Sequence, residues 1–411
     1  MNMLMVKKPI SDTLSKKLPY FFLFAFSLFF LLNRIQIVIQ TDLGYWTEKA
    51  FEYSQYFRAG NLFPAFSLPH PAVSVMNIGG FFLLIKSSIS HISVYQSDIF
   101  SDAFKIPFIL IISLFIGYLF FLLKKGGFPP LMAFIACVLL AINRLIWQAN
   151  AADILFSIFA VCSLLCFWIY LSGGTNKKGY FFLSALYCGL AIVNRFTGFI
   201  LLGIIPLLFL FFKNKNKIKL KRVILKIIQW LILAVIALLI LWPNFWLLSP
   251  NVKQLIPSDN YQVFGYQSEN IFSRHFSVLS NLSNTFLFMP IIDFFFLILF
   301  VVFIKKNIFI IIDNKKSLNT KILLLIILMI LFYLPVLILI QRVPWTFRYA
   351  LPSFILLDII IAQEIYREFI YLYHYPTNKF NLIYPYLFFL ALIFFSFNNV
   401  RELLFLLRVI F

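Results

Sequence analysis

A succession of apolar stretches, each about 20 residues long, constrains the fold of this chain most strongly. An α-helix needs that length to cross roughly 30 Å of hydrocarbon. Of the 411 residues, 62% are hydrophobic and only 12% are charged, and this composition excludes a water-soluble globular protein. The sequence therefore predicts an all-α, polytopic transmembrane helical bundle.

The formal net charge of +20 does not indicate nucleic-acid binding, because the basic residues are grouped in short loops between apolar stretches. Basic loops of this kind remain in the cytoplasm. Four lysines precede the first apolar stretch, which places the N-terminus in the cytoplasm. That stretch is longer than the apolar core of a signal peptide and lacks a small-residue cleavage pattern, so we expect it to be retained. The clusters used for orientation are Lys7, Lys8, Lys16, Lys17, Lys124, Lys125, Lys177, Lys178, the run from 213 to 222, Lys305, Lys306, Lys315 and Lys316.

The number of spans depends on residues 70–88, a moderately apolar segment. Counting it as a span would place Lys124, Lys125 and most later basic clusters outside. We therefore interpret it as an amphipathic helix in the outer interface. Eleven spans are then expected, at about 18–39, 104–123, 129–147, 152–171, 180–193, 198–212, 223–242, 286–304, 322–340, 351–366 and 380–397.

No separate soluble domain, internal repeat or nucleotide-binding glycine pattern is evident in the sequence. We predict a single transmembrane domain over residues 1–411, with a first outer loop at 40–103 and a long outer loop at 243–284. The cysteines fall inside predicted spans without metal-ligand spacing, so we interpret them as small packing residues. They are Cys137, Cys162, Cys166 and Cys188.

Three polar features follow one another on the predicted outer side. Asp42 lies just beyond the first span, His70 and Pro71 close the first outer loop, and Asp153 stands at the outer start of a later span. This order resembles the GT-C class of integral-membrane glycosyltransferases. More narrowly, it is similar to the family of protein O-mannosyltransferases and lipid A aminoarabinose transferases.

Two further stretches carry the resemblance. Residues 189–195 resemble the family's glycine-led span ending in a basic residue, and Arg348 with Tyr349 resembles its late outer Arg-Tyr motif. Leu43 stands where the mannosyltransferases carry a second acid, and Ala72 stands where the family has a second proline. These departures leave the acceptor and the subfamily open.

The resemblance implies an inverting transfer of a sugar from a polyprenyl-phosphate donor to an acceptor on the outer, extracytoplasmic face. It implies a location in the bacterial inner (cell) membrane, among membrane lipids. A glycolipid, a glycan and a protein all remain open as acceptors, and no nucleic-acid partner is expected.

The residue types suit this chemistry. A carboxylate activates an acceptor hydroxyl by taking its proton, and we assign this role to Asp42, with Asp153 as a second catalytic acid. The departing phosphate needs electrostatic stabilisation but no general acid. Arginine binds two phosphate oxygens at once, so Arg195 and Arg348 are the predicted phosphate ligands. Tyr349 and His70 complete the predicted substrate-binding residues.

Each of these residues also has a purely structural interpretation. Asp42 is a suitable helix cap, and Asp153 is suited either to cap its span or to pair with Arg144. The arginines assigned to phosphate are also placed to extend towards lipid headgroups. His70 lies between two prolines and suits a turn.

No cofactor is assigned. A divalent cation stays an open alternative if Asp42 and Asp153 converge, but neither has a second acid beside it, so we name no metal ligands. The main competing function is a membrane transporter or a flippase of lipid-linked saccharides, which typically has two related halves and broken helices. A non-catalytic assembly partner is a third class, and it would tolerate loss of Asp42.

Overall fold

The computed structural model describes residues 10–33, 35, 38–39, 43–60, 73–90, 97–143, 147, 149–171, 178–216, 220–241 and 351–374. The chain divides into two compact units, Met1–Leu247 and Leu248–Phe411. The predicted single domain over residues 1–411 stays a prediction.

All regular elements among the described residues are helices, and no strand occurs among them. The all-α class is thus confirmed for this part of the chain. The elements are α1 (Ile10–Leu32), α2 (Leu43–Arg58), α3 (Val73–Ser90), α4 (Ser97–Lys125), α5 (Pro130–Ile142), α6 (Ala151–Leu171), α7 (Lys178–Asn194), a 3₁₀-helix (Phe196–Phe199), α8 (Ile200–Asn216), α9 (Leu220–Leu241) and α10 (Leu351–His374).

Three of these helices are long and apolar enough to cross a membrane, which identifies a helical membrane protein. They are the Ser101–Lys125 part of α4, α6 and α9. In the most apolar window of α6, 78% of the residues are buried, whereas only 28% are buried in α9. Helix α6 is therefore central, and α9 presents an apolar face of the kind that contacts lipid.

Four predicted segments lie outside the described residues. They are the spans at 286–304, 322–340 and 380–397 and the loop at 243–284.

One end of the first unit is held together by backbone carbonyls beyond the ends of α1 and α5. The backbone N–H of Ile39 donates to the carbonyl of Trp147 at 2.8 Å. The ammonium of Lys105, near the start of α4, donates to the carbonyl of Ile35 at 2.8 Å. Because Asp153 lies at the start of α6 on the same side, we name this the Asp153 end.

The opposite end carries cations above aromatic rings. Lys124 Nζ, in the last turn of α4, lies 5.4 Å from the centroid of the Tyr20 ring in α1. The indole N–H of Trp168, near the end of α6, donates to the carbonyl of Gly126 at 3.1 Å. We name this the Lys124 end. Helices α1, α4, α5 and α6 thus alternate in direction between the two ends.

Helices α2 and α3 form a close pair beside the start of α4. A Cβ at Gly79 would lie 2.5 Å from the Phe104 ring, and a Cβ at Gly80 would lie 2.8 Å from Tyr53 Cβ. The two glycines therefore permit the close approach of α2, α3 and α4. The segment predicted as a helix at 70–88 corresponds to α3, which begins at Val73, and its interfacial, amphipathic character stays a prediction.

One boundary difference concerns the end of the first span, which was expected at residue 39. Helix α1 ends at Leu32, where the side-chain amide of Asn33 donates to the carbonyl of Phe29 at 2.9 Å. Ile39 then has a φ of +53°, an unusual value for a β-branched residue, and lies buried beside Trp147. The described residues between Leu32 and residue 40 lie in turns and not in a helix; they are Asn33, Ile35, Val38 and Ile39.

Helices α6, α7 and α9 share a buried polar chain. Ser163 Oγ donates to the carbonyl of Ser184 at 2.8 Å, and the Trp230 indole N–H donates to Ser184 Oγ at 3.2 Å. Satisfied polar groups of this kind tie helices together within an apolar interior. All four cysteines are buried free thiols within the bundle, which confirms their role as packing residues.

The contact between α7 and α9 predicts the effect of a single methyl group. A Cβ at Gly189 would lie 2.8 Å from Ala237 Cβ and 2.9 Å from the backbone nitrogen of Leu238. Since the backbone of α9 would have to move, we expect Gly189→Ala to destabilise the protein by about 1–3 kcal/mol. The midpoint of thermal unfolding in detergent measures this.

The matched control is Gly203→Ala in α8, because no atom lies within 4 Å of the added Cβ. Alanine also favours a helix over glycine by about 0.5–1 kcal/mol, so this variant should unfold at the same or a slightly higher temperature. Equal unfolding midpoints for the two variants would contradict close packing of α7 on α9.

Candidate functional site

Two of the predicted site residues meet at the Asp153 end, although 42 residues separate them in the sequence. Arg195 Nε donates to Asp153 Oδ1 at 2.5 Å. The Asp153 side chain is completely buried, and the Arg195 side chain is 12% exposed. We call these two residues the Asp153–Arg195 pair.

The start of α6 fixes the aspartate. Asn150 Oδ1 accepts a hydrogen bond from the backbone N–H of Asp153 at 2.8 Å, as an N-cap side chain does three residues before its partner. The Ser157 hydroxyl donates to the Asp153 carbonyl at 2.7 Å. The interpretation of Asp153 as the helix cap is therefore wrong, because Asn150 is the cap and Asp153 extends to another helix.

The end of α7 fixes the arginine. The backbone N–H of Arg195 donates to the carbonyl of Ala191 at 3.0 Å, and Arg195 then adopts an extended conformation before the 3₁₀-helix. The N–H of Gly198 donates back to the Arg195 carbonyl at 2.9 Å. A Cβ at Gly198 would lie 2.7 Å from the backbone nitrogen of Ile192, so only glycine lets this turn fold onto α7.

Burial and charge explain why the two side chains meet. A lone carboxylate is very costly away from water, and an opposite charge with good hydrogen-bond geometry offsets much of that cost. Arg195 is mostly buried and bonded to Asp153, so it does not extend outward to lipid headgroups as the structural interpretation proposed. Intramembrane ionisable groups commonly combine such pairing with a functional role.

Two residues close to the arginine in the sequence, Asn194 and Thr197, also have buried polar atoms. The Asn194 amide donates to the carbonyl of Leu190 at 2.7 Å and to the Ser74 hydroxyl of α3 at 3.4 Å. Asn194 Oδ1 and Thr197 Oγ1 are buried and accept or donate no hydrogen bond among the described residues. Helix α3 is thus joined to the residue that precedes Arg195.

Sequence reasoning missed two residues of this region. Lys105 is 3% exposed and bonded to the carbonyl of Ile35, and Asn150 caps α6. Lys105 had a detectable signal, because it is a basic residue just inside a predicted span, where charge is costly. Asn150 had the weaker signal of a capping residue before an apolar run.

The remaining predicted site residues, Asp42, His70, Arg348 and Tyr349, lie outside the described residues, and so does Arg144. Their assigned roles stay predictions. Among the described residues, no group of three or more His, Cys, Asp or Glu side chains is close enough to hold a metal ion. The described site is instead suited to an anion, since its one partly exposed charged group is a guanidinium, which binds phosphate or carboxylate oxygens in pairs.

No protein-family model, no curated protein and no solved structure matches this chain. Functional assignment therefore depends on the residues themselves.

The Asp153–Arg195 pair predicts a strong energetic coupling. Asp153→Ala or Arg195→Ala alone leaves one charge buried without its partner, so each should destabilise the protein by about 3–5 kcal/mol. The double variant should lose much less than the sum of the two. Unfolding midpoints of the four proteins in detergent measure the coupling.

A control cycle uses Lys49 and Glu52 of α2, whose ion pair is 2.8 Å long but whose side chains are 29% and 43% exposed. Such a pair should contribute only about 0–1 kcal/mol. Additive effects at Asp153 and Arg195, similar to those of this control, would show that the buried pair is not an energetic unit.

Proposed function

We propose that this protein is a GT-C-like, inverting glycosyltransferase that moves a sugar from a polyprenyl-phosphate donor to an acceptor at the outer membrane surface. The support is chemical: a guanidinium, the group that best binds two phosphate oxygens, is held by a buried carboxylate at one end of a membrane helix bundle. The acceptor is a glycolipid, a glycan or a protein of the cell envelope.

The proposed topology has eleven spans, a cytoplasmic N-terminus and a location in the bacterial inner membrane. Its support is the distribution of charge along the described helices. Lys124 and Lys125 end α4, and Lys178 begins α7, at the Lys124 end. By the positive-inside rule this end faces the cytoplasm, and the Asp153 end then faces outward.

In the proposed reaction, Asp42 takes the proton of an acceptor hydroxyl as its oxygen attacks the anomeric carbon. The bond from that carbon to the phosphate oxygen breaks, and polyprenyl phosphate leaves with the electron pair. Arg195 and Arg348 stabilise the negative charge that develops on the phosphate. Direct displacement without a covalent intermediate inverts the anomeric centre.

A transporter or flippase is the competing function. Transporters place their substrate-coupling charges near the middle of the membrane, between related halves of the chain. The Asp153–Arg195 pair instead joins the first turn of α6 to the residue that follows α7. A site at a helix end suits a reaction at the membrane surface.

Cysteine labelling tests the orientation. Ala59, after α2, and Gly179, in α7, are both exposed, whereas the native cysteines are buried and should give little background. We expect Ala59→Cys to react with a membrane-impermeant maleimide in intact cells and Gly179→Cys to react only after permeabilisation. The opposite pattern would overturn the topology and the outward-facing site together.

Transfer of sugar in detergent tests the function, because transport cannot occur there. Asp42→Asn retains the shape of the side chain but cannot take the proton, so transfer should fall by roughly 10²–10⁴-fold. Glu48→Gln, an exposed position on α2, is the matched control and should retain full activity. The assay follows formation of the sugar–acceptor bond.

Two results would contradict the proposal. If the folded Asp42→Asn protein transfers sugar nearly as fast as the unmodified protein, Asp42 is not the general base. Saccharide translocation into vesicles without any transfer in detergent would favour the flippase.

A further inference from the structure

The two members of the Asp153–Arg195 pair differ in what can reach them. The carboxylate has no exposed surface, whereas the guanidinium side chain retains 12% of its own. A general base must come within about 2.6–3.2 Å of the proton it takes, directly or through one water. Of the two side chains, only that of Arg195 therefore has surface that a bound molecule can contact.

We propose that Asp153 is a positioning residue for Arg195, and that it orients the guanidinium for the phosphate of a lipid-linked donor. This assignment deepens the proposed function and depends on it. It replaces the predicted role of Asp153 as a second catalytic acid. Asp42 alone then acts as the base.

Geometry supports this role. The carboxylate engages Nε, on one side of the planar guanidinium, and so fixes the plane and direction of the group. The bidentate binding of phosphate that arginine favours depends on that plane and direction. Because the hydrogen bonds around Asn150 and Gly198 fix both backbones, the side chain loses little further freedom when the phosphate binds.

Charge gives a second reason. A carboxylate beside the guanidinium reduces the net positive charge at the site, so it does not improve simple anion attraction. Its benefit comes from orienting the guanidinium and from compensating the cost of burying most of that group. Loss of the carboxylate charge alone, with its shape retained, should therefore have a smaller effect than loss of the side chain.

Binding of farnesyl phosphate to the purified full-length protein in detergent tests the proposal, with farnesol and inorganic phosphate as companion ligands. Farnesol measures the contribution of the chain, and inorganic phosphate measures the site without a lipid. We expect farnesyl phosphate to bind better than either. Arg195→Ala should weaken that binding about 10- to 100-fold, which is the loss expected for a charge-assisted hydrogen bond.

The Asp153 variants separate positioning from base catalysis. We expect Asp153→Ala to weaken farnesyl phosphate binding about as much as Arg195→Ala, and the double variant to lose little more. Asp153→Asn keeps an oxygen that can accept from Nε, so it should largely restore binding. At saturating donor it should also keep transfer within about an order of magnitude, far from the 10²–10⁴-fold loss of a base. Asp102→Asn, an exposed acid at the start of α4, is the matched control and should bind normally.

Unchanged phosphate binding in Asp153→Ala, with weakened binding in Arg195→Ala, would overturn the positioning role and leave the proposed function intact. Transfer lost in Asp153→Asn with binding intact would restore Asp153 as a base. If the unmodified protein binds farnesol as well as farnesyl phosphate, the proposed donor class fails, and the positioning role fails with it. Should Asp153→Ala not fold, Asp153→Asn alone decides between the two roles through its binding and transfer rates.

Discussion

Hydrocarbon offers no hydrogen-bond partner to a protein, and this constraint underlies the whole architecture. Every backbone group within the membrane must be satisfied inside the chain, so the apolar stretches become helices. Polar side chains within the membrane also need hydrogen-bond partners inside the chain. Ser163, Ser184 and Trp230 form a bonded chain between three helices, and Ser157 bonds a carbonyl of its own helix.

Charged groups are subject to the same constraint, and the free-energy cost of leaving one of them unpaired is larger. Asp153 is completely buried, yet it stands in the first turn of α6, where the arginine that follows α7 can reach it. Two glycines permit close packing of α7 and of the turn that follows it. Gly189 brings α7 against α9, and Gly198 folds the next turn back onto α7. A buried ion pair is weak evidence for stability alone, so its position at a helix end has more bearing on the proposed phosphate chemistry.

Much of the described fold was predictable, because helix length and hydrophobicity follow from the membrane. The predicted span at 152–171 and the helix Ala151–Leu171 differ by one residue. The predicted helical span was wrong beyond Leu32, where the described residues lie in turns, since an apolar stretch does not by itself specify where a helix ends. Asp153 and Arg195 were each recognised as unusual charges at a boundary, but the contact between them was not predicted. Lys105 was overlooked because a single lysine at the start of a span resembles an ordinary flanking charge.

The amino-acid sequence by itself determined that the chain forms apolar helices long enough to cross a membrane and that many of its basic residues are grouped in short segments between the apolar stretches. These properties depend on the local composition of each segment and on its transfer from water to lipid. Only the tertiary structure decided that Asp153 is buried against Arg195, that Asn150 is the cap of α6, and that α3 is tied to the end of α7 through Ser74. Such contacts depend on how closely and at which level helices pack, and that is set by the joint fit of many side chains.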